Sequence, residues 1–292
     1  MKIVSNFHLH KRMEFVSIFK LKLLIYIFIL NFFLTGILYQ CIKWVLLPLF
    51  KSYGLAADWT QLYTSIIFLP YSAKPVFGIL SDLISVRGYQ KKYWLLLFIL
   101  LPLIPAVVSL FIDNFVLLIL TFIIYNFEIA ITELLTEGVY TAIMKQNPQT
   151  GSDIVIFSNL CKNLGQLVSL AFLGPLIDQE YYTVVYIIML VSAMTLFLPT
   201  VLNWLLEEKT NNHILRVDTD LFWENKKVFS LIFFSGISSL VLSGISVLVP
   251  YYLLLIISYI LLIIILLGSY FSFSRDVFYI ILYLVIVKIS KP

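Results

Sequence analysis

Apolar residues along this chain fall into long runs separated by short polar gaps, and each run is too long for a strand. About 20 apolar residues carry a helix across the hydrocarbon of a bilayer. Runs of that kind extend from Leu23 to Phe50, Leu62 to Leu83, Tyr93 to Ile112, Phe115 to Met144, Ile154 to Ile177 and Tyr181 to Leu206. The pattern therefore predicts a block of six transmembrane helices over residues 23–206, behind a polar, basic segment at residues 1–22 that lacks the layout of a cleavable signal peptide. The polar stretch from Glu207 to Lys227 mixes both charge signs and reads as a linker. Two further spans follow, Val228 to Leu248 and Tyr251 to Phe271, joined only by a turn at Val249 and Pro250, so residues 228–271 form a predicted hairpin. A ninth, shorter run, Val277 to Val287, opens the last segment, residues 277–292.

Composition turns this pattern into a class. With 61% hydrophobic, 16% aromatic and 12% charged residues, a chain of 292 residues has more apolar surface than a soluble domain could bury. It is an all-α, multi-pass integral membrane protein by this reading, with lipid as an obligatory neighbour. The net charge of +4 does not point to nucleic acid, because its placement is that of membrane orientation. Lys2, Lys11, Arg12, Lys20 and Lys22 precede the first span. Arg87, Lys91 and Lys92 lie in the second loop, Lys145 in the fourth, and Lys209, Arg216, Lys226 and Lys227 in the sixth, whereas the alternate loops hold only Lys51. This asymmetry puts the N-terminus and the even-numbered loops in the cytoplasm. Cys41 and Cys161 lie inside apolar runs without metal-ligand spacing. His8, His10 and His213 lie outside the spans, and no phosphate loop, nucleophile elbow or zinc motif is present, so neither an enzyme nor a cofactor is expected.

Polar groups inside the spans carry the functional signal, since a charge at mid-membrane costs a few kcal/mol unless a partner, water or a function offsets it. Lys74 sits in the middle of the second span. On the fourth, Asn126, Ala130, Glu133 and Glu137 are spaced by four, three and four, which aligns them on one helical face. Counted from the outer span ends, Lys74 lies about 18 Å deep and Glu128 about 20 Å. Depth alone therefore pairs Lys74 with Glu128, although Glu128 points more than a third of a turn away from Glu133 and Glu137. On the fifth span Asn159, Lys162, Asn163 and Gln166 form a second polar seam, with Lys162 about 12 Å from the inner end, close to the depth of Glu133 or Glu137. Tyr39, Gln40 and Lys43 add polar groups on the first span.

The loop after the second span reads Gly78, Ser81, Asp82, Arg87, Gly88, Lys91 and Lys92. It resembles the signature loop of the major facilitator superfamily, with two extra residues between Asp82 and Gly88. In that signature glycine lets two helices approach, an acid ends the helix, and basic residues anchor the loop at the inner surface. The stretches LTGILYQ, LPLFKSYG, QLYTS, KPVFGILSD, GYQKKYW, ELLTEGVYTAIM, NPQTGSDIVIF and LVSLAFLGPLID, in that order, are similar to the folate-biopterin transporter family, especially its protist branch. The resemblance covers roughly residues 30 to 206 well and the final span weakly. Three positions depart from it: Tyr71 where the family usually has tryptophan, Glu133 where it usually has aspartate, and Ser158-Asn159-Leu160 where a tryptophan is expected.

The resemblance implies a secondary transporter of folate, biopterin or related pteridines, located in the plasma membrane rather than an organelle. Lys74, Glu128, Glu133, Glu137, Lys162, Asn163 and Gln40 are its candidate substrate or coupling residues. Carboxylates accept from the amines of a flat heterocycle, lysine neutralises an anionic tail, and a desolvated acid suits proton coupling. The same residue types suit other solutes, S-adenosylmethionine among them. Gly78, Ser81, Asp82, Arg87, Gly88, Lys91 and Lys92 form the candidate gating loop. Such transporters are built from two six-helix halves. Here the expected architecture is one half-bundle, an inserted hairpin set against lipid at the periphery, and the first helix of a second half. The length then leaves a truncated product, a partial reading of its gene, or a half-transporter completed by a second copy; the alternative is a non-transporting paralogue that serves as a membrane assembly partner.

Overall fold

The computed structural model describes residues 21–112, 114–146, 148–207, 209, 215–217, 219–245 and 249–289. Residues 1–20 of the basic N-terminal segment, His213 and residues 246–248 of the predicted seventh span lie outside the described residues, while Leu21 and Lys22 already belong to the first helix. Six helices form the body of the bundle: α1 (Leu21–Ser52), α2 (Ala57–Leu83), α3 (Lys92–Phe111), α4 (Phe115–Gln146), α5 (Pro148–Asp178) and α6 (Tyr182–Val201). Between α2 and α3 runs strand β1 (Ile84–Val86), and after α6 come strand β2 (Leu215–Val217) and the short helix α7 (Thr219–Glu224). Helices α8 (Lys226–Ile245), α9 (Tyr251–Ser272) and α10 (Arg275–Ile289) complete the order. Among the described residues seven helices, α1 to α6 and α9, are long and apolar enough to cross a membrane.

The core is the α1–α4–α6 interior, where Leu23, Ile27, Leu30, Leu34, Leu38 and Ile42 of α1 are buried with Phe122, Ile129 and Leu135 of α4 and Met189 of α6. The centre of α1, Leu30–Leu38, is wound to the wider π pitch, and here α1 meets α5 backbone to backbone. A methyl added at Gly36 would come within 2.8 Å of the Gly165 Cα, and one added at Gly165 within 2.9 Å of the Gly36 Cα. Small residues permit this approach, as at other membrane helix crossings.

Two features differ from the sequence expectation. The loop between α2 and α3 is not irregular: Ile84, Ser85 and Val86 pair antiparallel with Val217, Arg216 and Leu215, so the extra residues before Gly88 form a strand. Arg87 and Gly88, at φ 50° and 82°, then close a two-residue turn between Val86 and Tyr89, the geometry in which consecutive positive φ values favour glycine. The predicted hairpin is also not wholly peripheral. Helix α9 is mostly exposed, whereas α8 packs on residues 69–83 of α2, where a Cβ at Gly236 would lie 2.9 Å from Val76. Gly236 gives α8 the close approach to α2 that a purely apolar reading of the hairpin passes over.

Candidate substrate site

Lys74 is positioned by an irregularity in α2. Residues Leu69–Ala73 tighten into a 3-10 turn between Pro70 and Pro75, neither of which has an N–H to give to an α-helical bond. Lys74 begins the following helical segment, Lys74–Leu83, and its Nζ donates to Glu133 Oε2 at 2.5 Å. Across the cleft Lys162 Nζ of α5 lies 3.5 Å from the other oxygen, Glu133 Oε1. One carboxylate of α4 is thus shared by lysines from two other helices. The side chains are 15% exposed for Glu133, 24% for Lys74 and 35% for Lys162, so Lys162 is both the looser and the wetter partner.

The structure does not pair Lys74 with Glu128. Helix α2 starts at Ala57, five residues before the apolar run at Leu62, because its first turn is polar. Its 3-10 turn adds more rise per residue than an α-helix and swings the helix face by about 100° over five residues. Lys74 then lies about 28 Å along α2, and Glu133 about 27 Å along α4. Glu128 is fully buried, and neither of its carboxylate oxygens has a hydrogen-bond partner. Asn126 is buried too, donating to the Phe122 carbonyl. The acids of α4 are therefore divided between a face inside the bundle and a face on the cleft.

Aromatic rings floor the cleft beside the charges. Lys74 Nζ stands 4.8 Å from the centroid of the Tyr71 ring, within cation–π reach. Tyr71 meets Tyr39 edge to face at 5.9 Å, and Tyr39 meets Phe68 at the same distance. Tyr71 is thus in the site at a position where the resemblance leads one to expect tryptophan. Glu137 lies one turn beyond Glu133 on the open side, hydrogen-bonded to Tyr140, whose hydroxyl also meets Ser158. Asn163 and Asn159 are exposed. Gln40 is buried and accepts from Trp44 Nε1 at 2.9 Å, so it is set back from the lysines. Among the described residues no three His, Cys, Asp or Glu side chains cluster as a metal site would need.

The candidate gating loop lies at the far end of the same α2 segment. Lys91 Nζ bridges Asp82 and donates to Ser81 Oγ at 2.9 Å. Ser81 is buried and donates to the Gly78 carbonyl. A Cβ at Gly78 would sit 3.5 Å from Leu134, an ordinary contact, so α2 and α4 do not need a glycine there. Arg87 lies 5.7 Å from the Tyr93 ring and Lys92 5.2 Å from the Tyr89 ring. Sequence reasoning missed Glu207. Its Oε1 accepts from the backbone N–H groups of Gln90 and Lys91 at 2.6 and 2.8 Å, and its Oε2 from that of Lys92 at 2.8 Å. A carboxylate at the N-terminus of α3 satisfies donors that the helix itself leaves free. Lys92 Nζ also donates to the Val201 carbonyl at 3.0 Å. The end of α6 therefore clasps the start of α3.

A multi-span helical bundle with a carboxylate and two lysines facing one another inside it is an integral membrane protein with a partly buried charge cluster among its helices. The model of the BT1 family matches residues 36–279, most of the 292-residue chain, and the chain belongs to that family of membrane transporters, the folate-biopterin transporters. No curated protein and no solved structure matches it.

Proposed function

We propose that the chain is a secondary transporter of the major-facilitator type, of the kind found in protists, that moves folate, biopterin or a related pteridine across the plasma membrane with its N-terminus in the cytoplasm. The observation that supports this most is the sharing of Glu133 by Lys74 and Lys162 at unequal distances, 2.5 and 3.5 Å. An anionic tail entering the cleft takes over the looser lysine, Lys162, while Lys74 keeps Glu133 in place. Exchange of one charge-assisted bond for another keeps each ion compensated throughout. Tyr39 and Tyr71 offer faces and edges to a flat ring, and Glu137 offers an acceptor for its amines. Proton coupling is part of this reading, with the intramembrane acids of α4 as its carriers.

The face that carries Lys162, Asn159, Asn163 and Glu137 is open, and α5 exposes Leu160, Leu164 and Leu167 around it. Charges there do not face lipid without cost, so a second set of helices or a second copy of the chain covers this face in the working transporter. The test is uptake of labelled folate and of biopterin into vesicles holding the chain, with and without an imposed proton gradient. Saturable, gradient-driven uptake of both is expected, with Lys162→Ala losing folate, which has an anionic tail, far more than biopterin, which has none. Equal loss of the two would remove Lys162 from tail recognition. Uptake of S-adenosylmethionine alone would overturn the pteridine assignment, and absence of uptake in cross-linked dimers as well as monomers would leave a membrane assembly role.

A further inference from the structure

A second site lies away from the charged cleft, between α8 and α9. An open cleft of about 750 Å³ runs there, with Lys226, Lys227 and Phe222 at one end of its lining and Leu231, Phe234 and Ile264 further along the two helices. Lys226 to Phe234 spans eight residues of one helix, so the lining turns from cationic to apolar over about 12 Å. Both lysines are exposed. Glu224, the acid nearest to them in sequence, is not among the residues that line the cleft. Trp223, whose ring lies 5.7 Å from Lys226 Nζ, belongs to the residue type that sits at the headgroup level of a bilayer. Helix α9 is apolar along its exposed face, with Ile256, Ile260, Ile263 and Leu267 all about half exposed.

We infer that this cleft binds an anionic phospholipid, its headgroup phosphate between Lys226 and Lys227 and an acyl chain along Leu231, Phe234 and Ile264. A soluble anion would match the cationic end but leave the apolar stretch uncovered, and a zwitterionic lipid would match the apolar stretch but not the paired cations. The cationic end also lies at the end of the bundle that carries Lys91 and Lys92, since β1 and β2 join the α2–α3 loop to the segment just before α7. Basic pockets between membrane helices on one leaflet recognise anionic headgroups in this way.

The experiment incorporates the full chain into vesicles of equal parts phosphatidylserine and phosphatidylcholine, extracts it in mild detergent and measures the co-purifying lipid by mass spectrometry. Phosphatidylserine should be retained in preference to phosphatidylcholine. The double substitution Lys226→Gln, Lys227→Gln should lower phosphatidylserine retention about thirtyfold, about fivefold for each lysine. Ser230→Phe, which fills the cleft and keeps both charges, should lower it as well, with an unchanged melting temperature in lipid-free detergent as the folding control. Equal retention of the two lipids, or retention unaltered in the double variant, would overturn the assignment. So would displacement of bound lipid by glycerophosphoserine at equal concentration, because the apolar half of the site would then contribute nothing. None of these readouts requires transport.

Discussion

The pairing of Lys74 with Glu133 and not Glu128 can be measured as a coupling energy. At an effective dielectric of about 20, unit charges 2.5 Å apart attract by about 7 kcal/mol and those 3.5 Å apart by about 5 kcal/mol before desolvation is charged against them. Fully buried pairs cost about 3–5 kcal/mol to break and exposed ones under about 1. With 15–24% exposure Lys74–Glu133 falls between these limits, and with Lys162 at 35% its pair falls nearer the lower one. Lys74→Ala should therefore destabilise the bundle by about 2 kcal/mol and Lys162→Ala by about 1 or less. In double-mutant cycles with Glu133→Gln, the Lys74 cycle should show coupling of about 1–2 kcal/mol and the Lys162 cycle about 0.5. Lys74→Ala with Glu128→Gln should be additive, because Glu128 lies on the other face of α4. The assay is reversible unfolding of the purified chain in mixed micelles, followed by circular dichroism. Coupling of Lys74 to Glu128 that equals or exceeds its coupling to Glu133 would refute the geometry and restore the pairing that depth alone suggested.

Glu128→Gln on its own should leave stability within about 0.5 kcal/mol or raise it, since neither carboxylate oxygen has a partner to lose and a neutral amide avoids burying a charge; unfolding in the same micelles checks this. Glu207→Ala frees three backbone N–H groups and should cost about 1–2 kcal/mol, seen as faster hydrogen exchange at Gln90, Lys91 and Lys92, and unchanged exchange there would show that the clasp is not formed. Asp82→Asn breaks a bridge whose acid is 50% exposed, so folding should survive with a loss under about 1 kcal/mol while uptake kinetics change; loss of membrane insertion would make Asp82 structural. Gly165→Ala should cost about 1–3 kcal/mol by forcing a methyl against the Phe32 carbonyl and Gly36, and a melting temperature equal to the parent would argue against the close α1–α5 crossing.

Much of the fold was legible because a membrane span announces itself by length alone. The runs at Leu23–Phe50 and Phe115–Met144 differ from α1 and α4 by only a few residues at each end. Of the stripe Asn126, Ala130, Glu133 and Glu137, the first two are fully buried and the last two lie toward the open side of α4, while Lys162 meets Glu133. What could not be read are contacts between segments distant in sequence. Glu207 touches Gln90 across 117 residues, and nothing local distinguishes it from any acid after a helix end. The β1–β2 pairing is equally nonlocal, formed by two three-residue segments too short to show a period of two. The close approach of α8 was masked by its hydropathy, because Gly236 weighs little in a long apolar run but decides how closely the helix can approach α2.

Lys74 and Asp82 are near the two ends of one ten-residue helical segment, Lys74–Leu83, about 12 Å apart along its axis. The upper end is held by Glu133 and by α8 against Val76, and the lower end by Lys91. Between Lys74 and the rest of α2 lies the 3-10 turn of Leu69–Ala73, a change of helical pitch bracketed by prolines, which is where a long helix most easily bends. A bend at that turn would carry the segment below it as one body. Any displacement that parts Asp82 from Lys91 tilts the same rod that carries Lys74, and any ligand that changes the hold of Glu133 on Lys74 alters the load on Asp82. The proposed substrate site and the candidate gating loop lie on a single short helix, so an exchange of charge partners at one end, as proposed, would have a direct mechanical route to the other.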